Sequence, residues 1–126
     1  MPNPFVHIEL NSTDPDKAKA FYNELFDWDM KDIPMPGASP DANEIYTTIN
    51  VGGGTGGGIM RQMMPNAPSA WLAYALVKDL RAATDKAAAL GATILKDVSE
   101  VPGMGYLSII KDPTGACLGL WQFTNP

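Results

Sequence analysis

The sequence predicts an α+β domain of two βαβββ modules that form a curved mixed sheet around a shared concave cavity. Three observations lead there. The order strand, capped helix, then three strands runs through the chain twice. An aspartate opens each helix, Asp14 in the first pass and Asp79 in the second. Finally, 126 residues suit one core rather than two, so two half-buried sheets in one small chain should cover each other. The expected organisation is one domain over residues 1–126, with module one at about 4–64 and module two at about 69–124.

In the first pass, residues 5–10 alternate. Val6, Ile8 and Leu10 fall on one parity and His7 and Glu9 on the other, giving a strand with an apolar and a polar face. Asp14 can accept bonds from the first N–H groups of a helix, and Pro15 suits its first position. Ala18, Phe21, Tyr22, Leu25 and Phe26 recur at helical spacing, so this stripe should cover the strand's apolar face, with Asp27 ending the helix. Residues 28–33 read as a second strand, and 34–43, with three prolines and a glycine, as a loop. Residues 44–51 alternate and are rich in Ile, Tyr and Thr, a third strand. Residues 52–58 hold six glycines. They match neither the Walker spacing nor a strand–GxGxxG–helix unit, so a hairpin turn is expected in preference to an anion cradle, followed by a short strand from Ile59.

Pro65 and Pro68 mark a linker, and the pattern restarts. Residues 71–77 form an apolar strand, and Asp79 caps a helix whose inner positions are Leu80, Ala83, Ala87 and Leu90. Gly91 stands where a helix-terminating glycine belongs. Residues 92–95 read as a strand, 101–105 as a loop and 106–110 as a strand. Residues 111–115 (KDPTG) read as a tight turn and 117–123 as the last strand.

Composition narrows the function classes. Hydrophobic residues at 45% and charged residues at 18% describe a globular chain. Nine basic against fourteen acidic residues give a net charge of −5, which argues against nucleic acid and anionic membrane as partners. It mildly favours a cationic ligand, or simply keeps the protein soluble. Cys117 is the sole cysteine, so no internal disulfide and no cysteine metal cluster is expected. The first residues carry no basic region or long apolar run, so neither a signal peptide nor a membrane span is expected, and the cytoplasm is the expected compartment.

The order and spacing of TDPD through AFY (13–22), LFDW (25–28), and DPTG (112–115) before LGLWQ (118–122) resemble the vicinal-oxygen-chelate superfamily of glyoxalases, bleomycin-resistance proteins and dioxygenases. VKDL (77–80) and LGA (90–92) look like that family's helix boundaries. The resemblance covers nearly the whole chain and implies the glyoxalase-like fold. It also implies a divalent metal held by two side chains from each half, one on the first strand and one on the last, and a homodimer.

Only His7 matches an implied ligand position. The last strand of the first half offers Gly58, Ile59 or Met60, the first strand of the second half Leu72, and the final strand Gly119. None of these is a hard donor. A transition-metal site needs three or more N or O ligands, so no cofactor and no metal is expected, although a divalent ion is the family's habit. Gly119 should leave open volume where a ligand side chain normally stands.

His7 is the only histidine, with an ordinary pKa near neutrality. It suits a general base, a hydrogen-bonder to a ligand, a metal ligand, or a polar remnant in a wet cavity. Glu9 shares its face and is a second candidate base, or a solvated carboxylate. Tyr46, Met60, Trp71, Leu72, Tyr74, Tyr106 and Trp121 are candidate walls of a ligand pocket or ordinary core. Tyr74 and Trp121 are favoured because they share strand parity with Leu72 and Gly119. Cys117 has that parity too but reads as a small buried hydrophobe. Asp14, Asp79 and Asp112 read as structural. Two functions follow: a small-molecule binder that has lost most of the metal ligands, or a lyase, isomerase or dioxygenase of the same superfamily. An accessory module binding a protein partner is a third, with nothing in the sequence to favour it.

Overall fold

The computed structural model describes residues 2–36 and 44–124; residues 37–43 of the predicted loop lie outside the described residues. The described residues form eight strands and two helices. Contacts separate the chain into two compact units, His7–Leu72, and Ala73–Pro126 with Met1–Val6.

The unit His7–Leu72 holds most of β1 (Phe5–Ser12), then α1 (Pro15–Leu25), β2 (Asp29–Pro34), β3 (Ile45–Asn50) and β4 (Gly57–Arg61). The strands lie in the order β2-β3-β4-β1, with β4 parallel to β1 and the other pairs antiparallel. The Asp14 side chain accepts from the Lys17 N–H at 3.1 Å, and Pro15 opens the helix as the sequence implies. The helix ends differently. Phe26 is already extended, with φ −127°, so the chain leaves the helix through β-like backbone and Asp27 takes no part in ending it. Only Ala18 and Tyr22 of the predicted stripe pack on the buried Leu10, Ile49 and Ile59, beside Trp28, Met30 and Val51. Phe21, Leu25 and Phe26 remain exposed, with the Phe21 and Phe26 rings against Tyr22.

The glycine-rich segment is a hairpin turn only over its first part. Gly57 and Gly58 are already β4, paired with Ile49 and Thr48 of β3. They are glycine for close approach, since a Cβ at 57 would collide with the Ile8 carbonyl and one at 58 with the Tyr46 phenol.

The other unit contains β5 (Ala70–Leu76, from Ala73 on), α2 (Leu80–Ala89), β6 (Thr93–Val101), β7 (Gly105–Lys111) and β8 (Cys117–Phe123), with strand order β5-β8-β7-β6. The two modules thus repeat one arrangement, with β8 parallel to β5 as β4 is to β1. Asp79 caps α2 through the Ala82 N–H at 3.0 Å. Gly91, at φ +103°, ends it, with the Ala92 N–H bonding the Ala87 carbonyl at 3.0 Å. Leu80, Ile110 and Leu120 form the core beneath α2. The strand after α2 runs to Val101, well past the predicted 92–95. Register shifts around Lys96 absorb the residues that break its alternation. Asp112 is structural as expected, its Oδ1 accepting from the Thr114 N–H at 2.7 Å and the Ala116 N–H at 3.1 Å. Among the described residues no helix is long and apolar enough to cross a membrane.

Candidate functional site

Strand alternation sorts β1. Leu10 faces α1, so His7 and Glu9 stand on the opposite face. The parallel register sets Gly58 beside Glu9 and Met60 beside Asn11, which places Met60 on the same face as Gly58 and Glu9. Tyr46 of β3 completes the face. Its ring lies against the Cα of Gly58, and its phenol oxygen sits between the two β1 side chains, 2.6 Å from His7 Nε2 and 2.8 Å from Glu9 Oε2. His7 and Glu9 themselves are 4.0 Å apart.

The chemistry orders the protons in this trio. A carboxylate only accepts, so the phenol's single proton points at Glu9. The phenol oxygen then accepts from His7, and the proton on the neutral ring belongs to Nε2. Burial lowers the His7 pKa from its ordinary 6.5, which favours the neutral ring at pH 7. Glu9 side-chain exposure is 11% and that of His7 is 34%, so the histidine is the member more open to solvent. The sequence suggested Tyr46 as an aromatic wall; its role as the hydrogen-bonded link was missed. The parity of Tyr46 with Thr48, opposite to Ile49, was the available signal.

In the other unit the same position is treated alike. Tyr74 takes the place on β5 that Glu9 has on β1, and it pairs with Gly119 as Glu9 pairs with Gly58. The Tyr74 ring lies on the Gly119 Cα, so the volume expected to be open there is filled. Tyr74 is 3% exposed and meets Trp121 edge-on, ring centroids 6.5 Å apart. Trp121 lies beside Gly105 and meets Phe123 at 5.9 Å.

The remaining candidates scatter. Trp71 belongs to the cluster around α1, meeting Tyr22 at 5.5 Å and Trp28 at 6.4 Å, on the face away from His7. Leu72 is buried. Tyr106 packs beneath α2 with Leu80, Ile110 and Leu120, because its partner Gln122 is one residue out of phase with Trp121. Cys117, expected as a small buried hydrophobe, is instead exposed, because it stands at the very start of β8.

The residues at the family's chelating corners do not fit a four-donor metal. With the register fixed, the last strand of the first half presents Gly58 beside Glu9, and β8 presents Gly119 beside Tyr74, each under a tyrosine ring. Leu72 has no donor, and Nε2 of His7 is engaged by Tyr46. Among the described residues no group of three or more His, Cys, Asp or Glu stands close enough to hold a metal ion.

Residues 5–119 match the model of the Glyoxalase/Bleomycin resistance protein/Dioxygenase superfamily, and the chain belongs to that family. Similar chains include CFP32 of Mycobacterium tuberculosis, which carries a glyoxylase name. It is 34% identical over 119 residues, covering 91% of this chain and 44% of that protein. The anthracycline biosynthesis protein DauV of Streptomyces is 24% identical over 91% of this chain and 45% of its own length. The chain thus spans less than half the length of these relatives. Among solved structures, methylmalonyl-CoA epimerase of Mycobacterium tuberculosis has the same fold. Its TM-score is 0.67 at 14% identity, over 96% of this chain and 88% of that one. A hypothetical protein of Bacillus halodurans gives 0.69 at 12% identity, over 100% and 98%.

Proposed function

We propose that this protein binds a small organic molecule at the His7–Tyr46–Glu9 face and does so without a metal. The observation that carries the reading is the Tyr46 phenol between His7 and Glu9, with its ring over Gly58. The one side chain at a family ligand position, His7, is hydrogen-bonded to Tyr46. What the trio offers a ligand is a rigid aromatic surface with three polar groups held in place. In the second module Tyr74 is buried, and Trp121 beside it is the half-buried aromatic side chain. The names of the relatives, a glyoxylase and an anthracycline biosynthesis protein, are in keeping with small organic ligands.

Titration calorimetry against a panel of apolar, aromatic and cationic small molecules tests this. Binding is expected, and Tyr46→Phe should weaken it about tenfold, the worth of one hydrogen bond in a buried setting. No binding across a broad panel counts against the reading, and stoichiometric metal in protein purified without a histidine tag overturns its metal-free part.

One observation favours a second reading. The chain from His7 Nε2–H through the Tyr46 hydroxyl to Glu9 is a continuous route for a proton. It would suit a lyase or isomerase of the superfamily working by acid–base transfer. Turnover that disappears in both His7→Ala and Tyr46→Phe distinguishes it from binding alone.

A further inference from the structure

The two modules close the flanks of their helices differently. The repeat that sets Asp14 against Asp79 and Ala18 against Ala83 also sets Tyr22 against Ala87. Beside α1 aromatic rings fill the space, Tyr22 meeting Trp28 at 5.8 Å and Trp71 at 5.5 Å. The small residue Ala87 stands at the position of Tyr22 in the second module. There a groove of about 430 Å³ runs along α2, with Ala83 and Ala87 on the helix and Ile110 and Leu120 on the sheet. That volume lies within the range of small-molecule sites, roughly 300–1,000 Å³.

The groove is apolar within and cationic beside. Lys78 and Lys86 line it and are exposed. Lys19 and Arg81 are tied to aspartates, whereas Lys78 and Lys86 make no ion pair among the described residues. The Asp79 carboxylate, also at the groove, is occupied as the helix cap. Two lysines without ion pairs beside an apolar trough are complementary to an anion with a long apolar body. Lys78 precedes the N-terminus of α2, where the helix dipole favours negative charge; Lys86 lies in the last turn, where the helix carbonyls attract the ammonium themselves.

We propose that this groove binds a medium-chain fatty carboxylate, its chain against Ala83, Ala87, Ile110 and Leu120 and its carboxylate paired with Lys78. The site lies on the α2 face of the sheet, opposite Tyr74 and Trp121, and is independent of the Tyr46 site.

Calorimetry of the whole chain with dodecanoate, below its micelle concentration, tests the proposal. Saturable one-to-one binding is expected. Lys78→Glu, a surface change that leaves the core intact, should weaken it at least about tenfold. Ala87→Tyr, which installs the residue of the first module, should abolish it, and Tyr46→Phe should leave it unchanged. Absence of saturable binding overturns the proposal. So does binding that survives Ala87→Tyr and is lost in Tyr46→Phe, which moves the ligand to the other site. A dimer that Ala87→Tyr converts to monomer, with no dodecanoate bound by either form, also overturns it and assigns the groove to a second copy of the chain.

Discussion

Gly119→Ala is the sharpest probe of the idea that a tyrosine ring fills a chelating corner. A Cβ at 119 would stand 2.7 Å from Tyr74 Cγ and closer to Cδ2 and Cε2, where ordinary contact begins at 3.4 Å. The ring must therefore move by roughly 1 Å, and it is 3% exposed with Trp121 edge-on beside it. Such overpacking costs about 1–3 kcal/mol. Glycine at 119 does not have positive φ, so alanine would relieve the unfolded-chain entropy by about 0.5–1 kcal/mol. The net expectation is a loss of about 1 kcal/mol, read as a lower urea midpoint at constant slope. Tyr74→Ala alone should cost about 3–5 kcal/mol. In that background Gly119→Ala has nothing to strike, so its penalty should vanish and the double-mutant cycle should show a coupling of about 2 kcal/mol or more. A Gly119→Ala change within about 0.5 kcal/mol of neutral, or an equal penalty with and without Tyr74, would refute the packing account.

Other consequences are as direct. Tyr46→Phe removes two hydrogen bonds, one of them to a carboxylate, and should cost about 2–3 kcal/mol in thermal or urea unfolding; a change below about 0.5 kcal/mol would show that the trio contributes little to stability. His7 is held below 6.5 in the folded chain, so on acidification the unfolded chain takes up the proton first. Its contribution is complete above about pH 6.5 and lost as the pH falls below it; His7→Gln should flatten stability against pH in that window, and an unchanged slope would exclude His7 as the cause. Thr84 and Ser108 are both fully buried, with hydroxyls 2.9 Å apart. Thr84→Val should therefore cost about 1–3 kcal/mol, and a stabilised variant would show that the pair is dispensable.

Local chemistry was legible without coordinates. Asp14, Asp79, Gly91 and Asp112 do what their residue types imply, because caps and turns are decided within a few residues of chain. The duplicated element order and the absence of hard donors at 72 and 119 could be read the same way. Which face a residue joins could not, once register mattered. Whether Gly58, Ile59 or Met60 stands beside Glu9 depends on the parallel pairing of β4 with β1, set by contacts far apart in sequence. The same long-range register brought the Tyr46 phenol between His7 and Glu9, left Trp71 with the α1 aromatics and sent Tyr106 beneath α2. Sequence by itself determined the elements, their repetition and the poverty of metal ligands, all consequences of residue type and spacing. Tertiary structure alone decided which side chains meet, because a side chain's face follows from pairing across strands, and one residue of slip reverses it.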